Sequence, residues 1–446
     1  MRASLQILPL IVLALLSVQG SRARAQDWVR TGTNLGNQRI RLAAADFKPV
    51  GGDPQMPVLK GVFDTTLFND LSNAGLFDMV SKSLAPQAMP GSPQELVPAQ
   101  WSAAPASAAM LALGALAVNN GRLTVYGWLM DVSTANSPPV LTRQYNEAAS
   151  EDMARTVAHR FADDIISRLG GGIAGICETK IYFVSNRTGS KEIWVMDYDG
   201  ANQHAVTHLG TVSISPRVSP DGSRIAFSSL NDSGWAIRMF SLDLGRTVSF
   251  PAGSAGGSNL SPAWSADGMK LAFSSARSGH PEIWAVDAGG GMLHQVTSFG
   301  SDVSPAWNPR TGAQLAFVSG RTGEPQIYVM DQDGSNVQRM TDSGYAISPS
   351  WSSTGMLAFS WNRKYGPGDP GGQDIYVMDI ASKQWQQDTH EAGNNDFPSW
   401  SPDGRQIVFQ RQINHRTQIW TMLGDGTNQH QLTFNGDNSM PNWSWK

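Results

Sequence analysis

Apolar and polar residues follow two different rhythms along this 446-residue chain. In the first part the rhythm is mixed. Leu59, Val62, Phe63, Thr66, Leu67 and Leu71 recur at helical spacing behind Pro57, which predicts a helix ended by Gly75. A second helix is predicted after Ser150 as N-cap, with Met153, Val157, Phe161, Ile165 and Leu169 on one face and Gly170 at its end. Strand-like runs surround them: Arg39 to Ala43, Leu76 to Val80, Leu111 to Val118 and Arg122 to Val132 about the Asn119-Asn120-Gly121 turn, and Leu141 to Tyr145. Ser81 to Ala109, rich in Pro, Ser and Ala, reads as loop. The expectation is a small α/β domain over residues 26–172.

From Lys180 the chain becomes a repeat of short strands. Ser261-Pro262-Ala263-Trp264-Ser265-Ala266-Asp267-Gly268, followed by Leu271 to Ser275, has relatives beginning at Ser215, Ser304, Ser348, Phe397 and Met440. The prolines Pro216, Pro262, Pro305, Pro349, Pro398 and Pro441 are spaced by 46, 43, 44, 49 and 43 residues. Each unit also carries a run such as Glu282 to Asp287 and a short segment such as His294-Gln295-Val296-Thr297. Four strand-like segments in a period of this length predict a β-propeller, here of six blades over residues 180–446. The first unit lacks a preceding SPxW-type strand, and Met440 to Trp445 supplies an unmatched one. The C-terminal strand is therefore expected to complete the first blade and close the ring. Proline is expected to open each innermost strand. Val218, Trp264, Trp307, Trp351, Trp400 and Trp443 share one register and are expected between neighbouring blades.

The first residues change the picture. Arg2, an apolar run from Leu5 to Val18 and Ala23-Arg24-Ala25 have the make-up of a secretory signal peptide over residues 1–25, with Gln26 as the mature start. Without them 30 basic residues face 37 acidic ones, a net charge of −7, which disfavours nucleic acid or an anionic membrane surface as partner. Cys177 is the sole cysteine, so no internal disulfide forms, in keeping with a periplasmic location. A buried role for that thiol is expected.

Most candidate chemistry fails on spacing. Gly170-Gly171-Gly172 follows a helix and lacks the Lys-Ser/Thr of a phosphate loop, so it reads as a linker. Asp197-x-Asp199-Gly200 and Asp331-x-Asp333-Gly334 place glycine two positions too early for a calcium loop and read as hairpin turns. His204, His294 and His430 fall in equivalent slots of different blades and cannot converge on one ion. No G-x-S-x-G elbow occurs. Neither a cofactor, a metal site nor a catalytic set is expected. The variable stretches are the loops leading into the innermost strands, and these are the candidate binding surface: Asn259, Asp302, Tyr345, Asn395, Asp396, Asp437 and Asn438.

The order of signal peptide, α/β domain and six units of SPxWSPDG, IAFSS and EIWVMD type resembles the TolB family of the Tol-Pal system, as does Leu67-Phe68-Asn69-Asp70-Leu71-Ser72-Asn73-Ala74-Gly75-Leu76-Phe77 with Gln100-Trp101. The resemblance covers nearly all of the mature chain. It implies a non-enzymatic periplasmic adaptor, reached by membranes only through its partners, that serves outer-membrane integrity and constriction during division. A peptidoglycan-associated lipoprotein (Pal) would bind at the propeller mouth. A TolA-like inner-membrane protein would bind the mature N-terminal segment, which begins Gln26-Asp27-Trp28-Val29-Arg30. Related propellers occur in peptidases and lyases, so a propeller hydrolase or polysaccharide lyase is the alternative.

Overall fold

The computed structural model describes residues 39–254, 256–362, 371–390 and 393–445. The signal peptide and the segment from Gln26 to Arg30 lie outside them. The first unit has the strands β1 (Ile40–Ala44), β2 (Lys48–Val50), β3 (Phe77–Met79), β4 (Met110–Asn119), β5 (Arg122–Asp131) and β6 (Leu141–Ala148). Its helices are α1 (Met56–Asn73), α2 (Pro98–Ser102) and α3 (Glu151–Leu169). The sheet runs β3-β1-β4-β5-β6, with β2 also pairing with β4. β4 is apolar on both sides because both of its faces are covered. α1 and α3 lie on one face through Leu59, Phe63, Leu67, Val157, Phe161 and Ile165. The stretch expected to be bare loop folds over the other, where α2 seats Trp101 at 1% exposure among Leu111, Leu113 and Met130. α3 starts as its sequence demands, with Ser150 Oγ accepting from the Met153 amide.

Among the described residues six four-stranded antiparallel sheets follow. Blade 1 is assembled from both ends of the repeat region: Asn438–Trp443 is its innermost strand, then come Lys180–Ser185, Glu192–Asp197 and His204–Ala205. The innermost strands of blades 2 to 6 are Ser213–Val218, Asn259–Trp264, Asp302–Trp307, Tyr345–Trp351 and Asn394–Trp400. The ring closes as the register required, with Asn438 opposite Ser185 and Trp443 opposite Ile181.

The register tryptophans pack between blades. Trp264 touches Ala226 and Met239 of blade 2 and Leu271 of its own blade. Its indole N–H donates to the Arg217 carbonyl at 3.0 Å, and that of Trp307 to the Ala263 carbonyl at 3.2 Å.

One expectation needs correcting. The prolines do not open the innermost strands; they sit inside them, at a bulge where the ladder skips. The preceding residue is left-handed in all six: Ser215, Ser261, Ser304, Ser348, Phe397 and Met440 have φ of 51–55°. A bulge needs no ladder N–H from proline, so the residue fits there. The neighbouring blade secures the bulge. Ser228 Oγ accepts the Ser261 amide, Ser274 Oγ accepts the Ser304 amide, and Gln410 Oε1 accepts the Met440 amide.

Candidate functional site

Loops leading into the innermost strands and connections between second and third strands share one face of the ring, the mouth. The Asp-Gly turns and the α/β unit occupy the other. Beneath the mouth the repeat builds a brace. In five blades a threonine after the outermost strand accepts the amide of a third-strand isoleucine and donates to the polar residue just before it. Thr207 serves Ile193 and Glu192, Thr297 serves Ile283 and Glu282, Thr341 serves Ile327 and Gln326, Thr389 serves Ile375 and Asp374, and Thr433 serves Ile419 and Gln418. Blade 2 has no such threonine.

Among the described residues, four blades add an arginine tie. Arg187, Arg277, Arg321 and Arg411 lie over Trp194, Trp284, Tyr328 and Trp420 at 4.1, 4.8, 4.9 and 4.5 Å. Each guanidinium then donates to a buried polar residue at or next to the start of its own innermost strand: Asn438 at 3.4 Å, Asn259 at 3.0 Å, Asp302 at 2.9 Å and Asn395 at 2.7 Å. Asn438 and Asn395 also reach back one blade, to Gln418 and Asp374. Asp302 instead meets the Glu282 carboxyl, which burial and then the Asp302 charge push up.

Four of the expected mouth residues, Asn259, Asp302, Asn395 and Asn438, are thus fully buried, with their side chains turned into the blades. They shape the loops rather than face a partner. Asp396 is buried as well: its carboxyl accepts from Ser360 Oγ and the Phe397 amide, both at 2.6 Å, and holds that blade's bulge, while burial raises its pKa. Tyr345, at 41% exposure, and Asp437 remain on the surface. Asp437 accepts the Thr417 amide at 2.7 Å.

The structure adds rim residues that the sequence reading passed over. Phe299 and Phe434 stand in equivalent loops just past the brace threonines Thr297 and Thr433, at 71% and 69% exposure. His208, Asp342 and His390 follow the braces of other blades and are exposed too. The available signal was position: each comes one or two residues after a buried threonine.

A second polar group lies between the α/β unit and blades 1 and 6. Asp70 of α1 is buried and accepts from Tyr198 Oη at 2.6 Å, with His159 Nδ1 of α3 at 2.7 Å. Arg155 pairs with Asp199 and with Asp197, and Lys180 pairs with Asp197 at 2.5 Å. The Asp197-x-Asp199-Gly200 turn closes as a hairpin, with the Gly200 amide on the Asp197 carbonyl at 2.9 Å. Its acids serve the domain contact. His159 Nε2, Asp197 and Asp199 offer ligand atoms within 4.8 Å of one another, but Arg155 already spans the two carboxylates. Burial alone would lower the His159 imidazole. The bond and charge of Asp70, with Asp199 behind it, outweigh that and raise it. Gly75 ends α1 at φ +70°, and a Cβ there would come within 2.7 Å of Leu423, so the chain turns tightly against blade 6. Arg405 and Gln406 donate to the carbonyls of Ala74 and Asn73. The buried apolar cluster runs unbroken from Phe161 and Ile165 through Cys177 to Ile181, Ile419 and Trp443.

A closed six-bladed ring, braced under a mouth of unlike loops and fixed on its turn face to an α/β unit, defines the class: a propeller that presents a surface. The family model of the TolB beta propeller domain matches residues 168–367 and 367–446, and the chain belongs to that family. It is 34% identical over 202 residues to the "Protein TolB homolog" of Chlorobium chlorochromatii, covering 45% of this chain and 44% of that one. It is 30% identical over 212 residues to the "Tol-Pal system protein TolB" of Actinobacillus succinogenes, covering 47% and 48%. The alignments thus span about half the length of these curated relatives. The crystal structure of TolB from Acinetobacter baumannii superposes with a TM-score of 0.75 at 23% identity, over 92% of this chain and 97% of that one, and shows the same fold. Among the described residues no helix is long and apolar enough to cross a membrane.

Proposed function

We propose that this chain is a non-enzymatic periplasmic adaptor of a Tol-Pal-like system. Its mouth takes a Pal-like outer-membrane lipoprotein, and its mature N-terminal segment from Gln26 takes a TolA-like inner-membrane protein. In that role it supports outer-membrane integrity and constriction at division. The observation that carries the reading is the rim itself: Phe299, Tyr345 and Phe434 expose aromatic surface on loops whose bases are pinned by buried threonines. Exposed aromatics on a rigid frame are the usual anchors of a protein interface, because little side-chain freedom is lost on binding. The names of the curated relatives place them in the Tol-Pal system, which supports the same choice of partner.

The test is binding of the soluble domain of a Pal-like lipoprotein, measured by calorimetry. Wild type is expected to bind, and Tyr345→Ala with Phe434→Ala to weaken binding at least about tenfold with unchanged melting temperature. No binding by wild type would sink the proposal. Charge reversal at Asp396 is unsuitable as a probe, because that buried carboxyl holds a bulge.

A further inference from the structure

The channel through the ring carries one residue out of keeping with the rest. The position between proline and the register tryptophan faces the axis in every blade, and reads Arg217, Ala263, Ala306, Ser350, Ser399 and Asn442 around the ring. Five are small or neutral. The sixth is an arginine whose side chain donates to its neighbour's carbonyl, Pro216 O, at 2.8 Å and meets no carboxylate among the described residues. Desolvation without an opposing charge pushes its guanidinium down to about 10, so it remains a cation at neutral pH. Arg217 is half-buried, so channel water solvates part of that charge, and an anion in the channel would answer it more fully.

The surroundings are arranged as donors. Ser399 Oγ accepts from the Trp443 amide at 3.0 Å and from Asn442 Nδ2 at 3.4 Å, and Ser350 Oγ accepts from the Trp400 amide at 3.3 Å. With backbone or amide N–H groups on their lone pairs, both hydroxyls have their protons left to give. These side chains line one cavity of about 100 Å³ with the register tryptophans around it, near the turn face. That is room for about three waters, or for one small polyatomic ion.

We propose that this cavity is a binding site for a small inorganic oxyanion of the phosphate or sulfate class, held by the Arg217 guanidinium and by the hydroxyls of Ser350 and Ser399. A guanidinium presents two parallel N–H groups to such an ion, and hydroxyl donors complete the shell. The site lies on the opposite side of the ring from the mouth and is independent of what the mouth binds. Its occupant would tie blade 2, which has valine in place of the register tryptophan, to blades 5 and 6 across the axis.

The experiment is a melting series of the full chain in sodium phosphate and sodium sulfate against sodium chloride at matched ionic strength. At about ten times the dissociation constant the wild type should melt about 2 °C higher in the oxyanions than in chloride. Arg217→Met should lose the difference, Arg217→Lys should weaken the affinity about tenfold, and Ser399→Ala about threefold. Crystals soaked in selenate give a second measurement that needs no variant: an anomalous peak within hydrogen-bond distance of Arg217 is expected. Equal melting in chloride and oxyanions, an undiminished difference in Arg217→Met, or an empty channel after the selenate soak would each overturn the proposal.

Discussion

Among the described residues, an arginine lies over an aromatic ring and grips a buried polar residue near the start of the innermost strand in blades 1, 3, 4 and 6; blade 2 has Ser229 and Asn231 at the two places from which these arginines come. In blade 5 the place that Arg411 holds in blade 6 is taken by Trp361, which stands opposite Asp374. Its indole donates to the Ser343 carbonyl at 2.8 Å and packs on Tyr376 and Trp385 at 5.0 and 4.6 Å. Blade 2 has Ser229 in that register, opposite Ala236, and lacks the brace threonine as well as the register tryptophan. In blade 5 the second-to-third-strand connection spans residues 363–372, against two to six residues in the other five. Blade 2 thus departs from the common plan at the tie, the brace and the register position together.

That contrast can be broken by mutation. Replacing a register tryptophan with alanine leaves a large cavity between blades, so Trp264→Ala or Trp443→Ala should cost about 3–5 kcal/mol. Val218→Ala, at the same register in blade 2, should cost about 1–3 kcal/mol. Urea unfolding followed by fluorescence and circular dichroism decides it, and equal costs would mean that blade 2 is packed like the rest. Next in size is Arg411→Ala, which strips a partner from buried Asn395 and uncovers Trp420; about 2–3 kcal/mol should be lost. Asp232→Ala, on the blade 2 connection, should stay within about 0.5 kcal/mol. A smaller effect than that of Arg411→Ala is expected of Thr341→Val. It leaves the Ile327 amide and Gln326 without their shared hydroxyl, for about 1–2 kcal/mol, and matching losses at Thr207 and Thr433 would show that the braces are equivalent.

The smallest expected effect concerns the contact between the two units. His159 has a folded-state pKa above its unfolded one, so its contribution is full below about pH 6.5 and disappears as pH rises through the folded value. Melting temperature should fall as pH rises above about 6.5, and His159→Gln should flatten that slope. An unchanged slope in the variant would assign the dependence to other groups.

Much of this architecture was legible because repetition makes positions comparable. The six SPxW-type segments reported the innermost strands, and the unmatched one at Met440 reported ring closure. The bulge was not legible. A serine, phenylalanine or methionine at positive φ carries no compositional mark, and only the recurring serines of the second strands hinted that an amide needed a partner. The mouth misled for a related reason. Asn259, Asn395 and Asn438 look like polar loop residues, and their burial depends on arginines supplied by a different strand. In three blades that arginine stands four residues after a phenylalanine (Phe183, Phe273, Phe317), a regularity the sequence does contain; Arg411 comes two after Phe409 and hides it. Asp70, Tyr198 and His159 could not be joined by sequence at all, because three separate elements bring them together.

Pairing of Asn438 with Ser185 has a kinetic consequence. Five blades can form from neighbouring hairpins, whose contacts are local and fast, but blade 1 must wait for residues made some 250 positions later. Until then, the edges of blades 6 and 1 and the apolar faces meant for Trp443 stand open to other chains. A chain cut short before Asn438 would carry nearly every strand and still lack a finished surface. Ring closure thus acts as a test of completeness, applied before the mouth is held in its final shape.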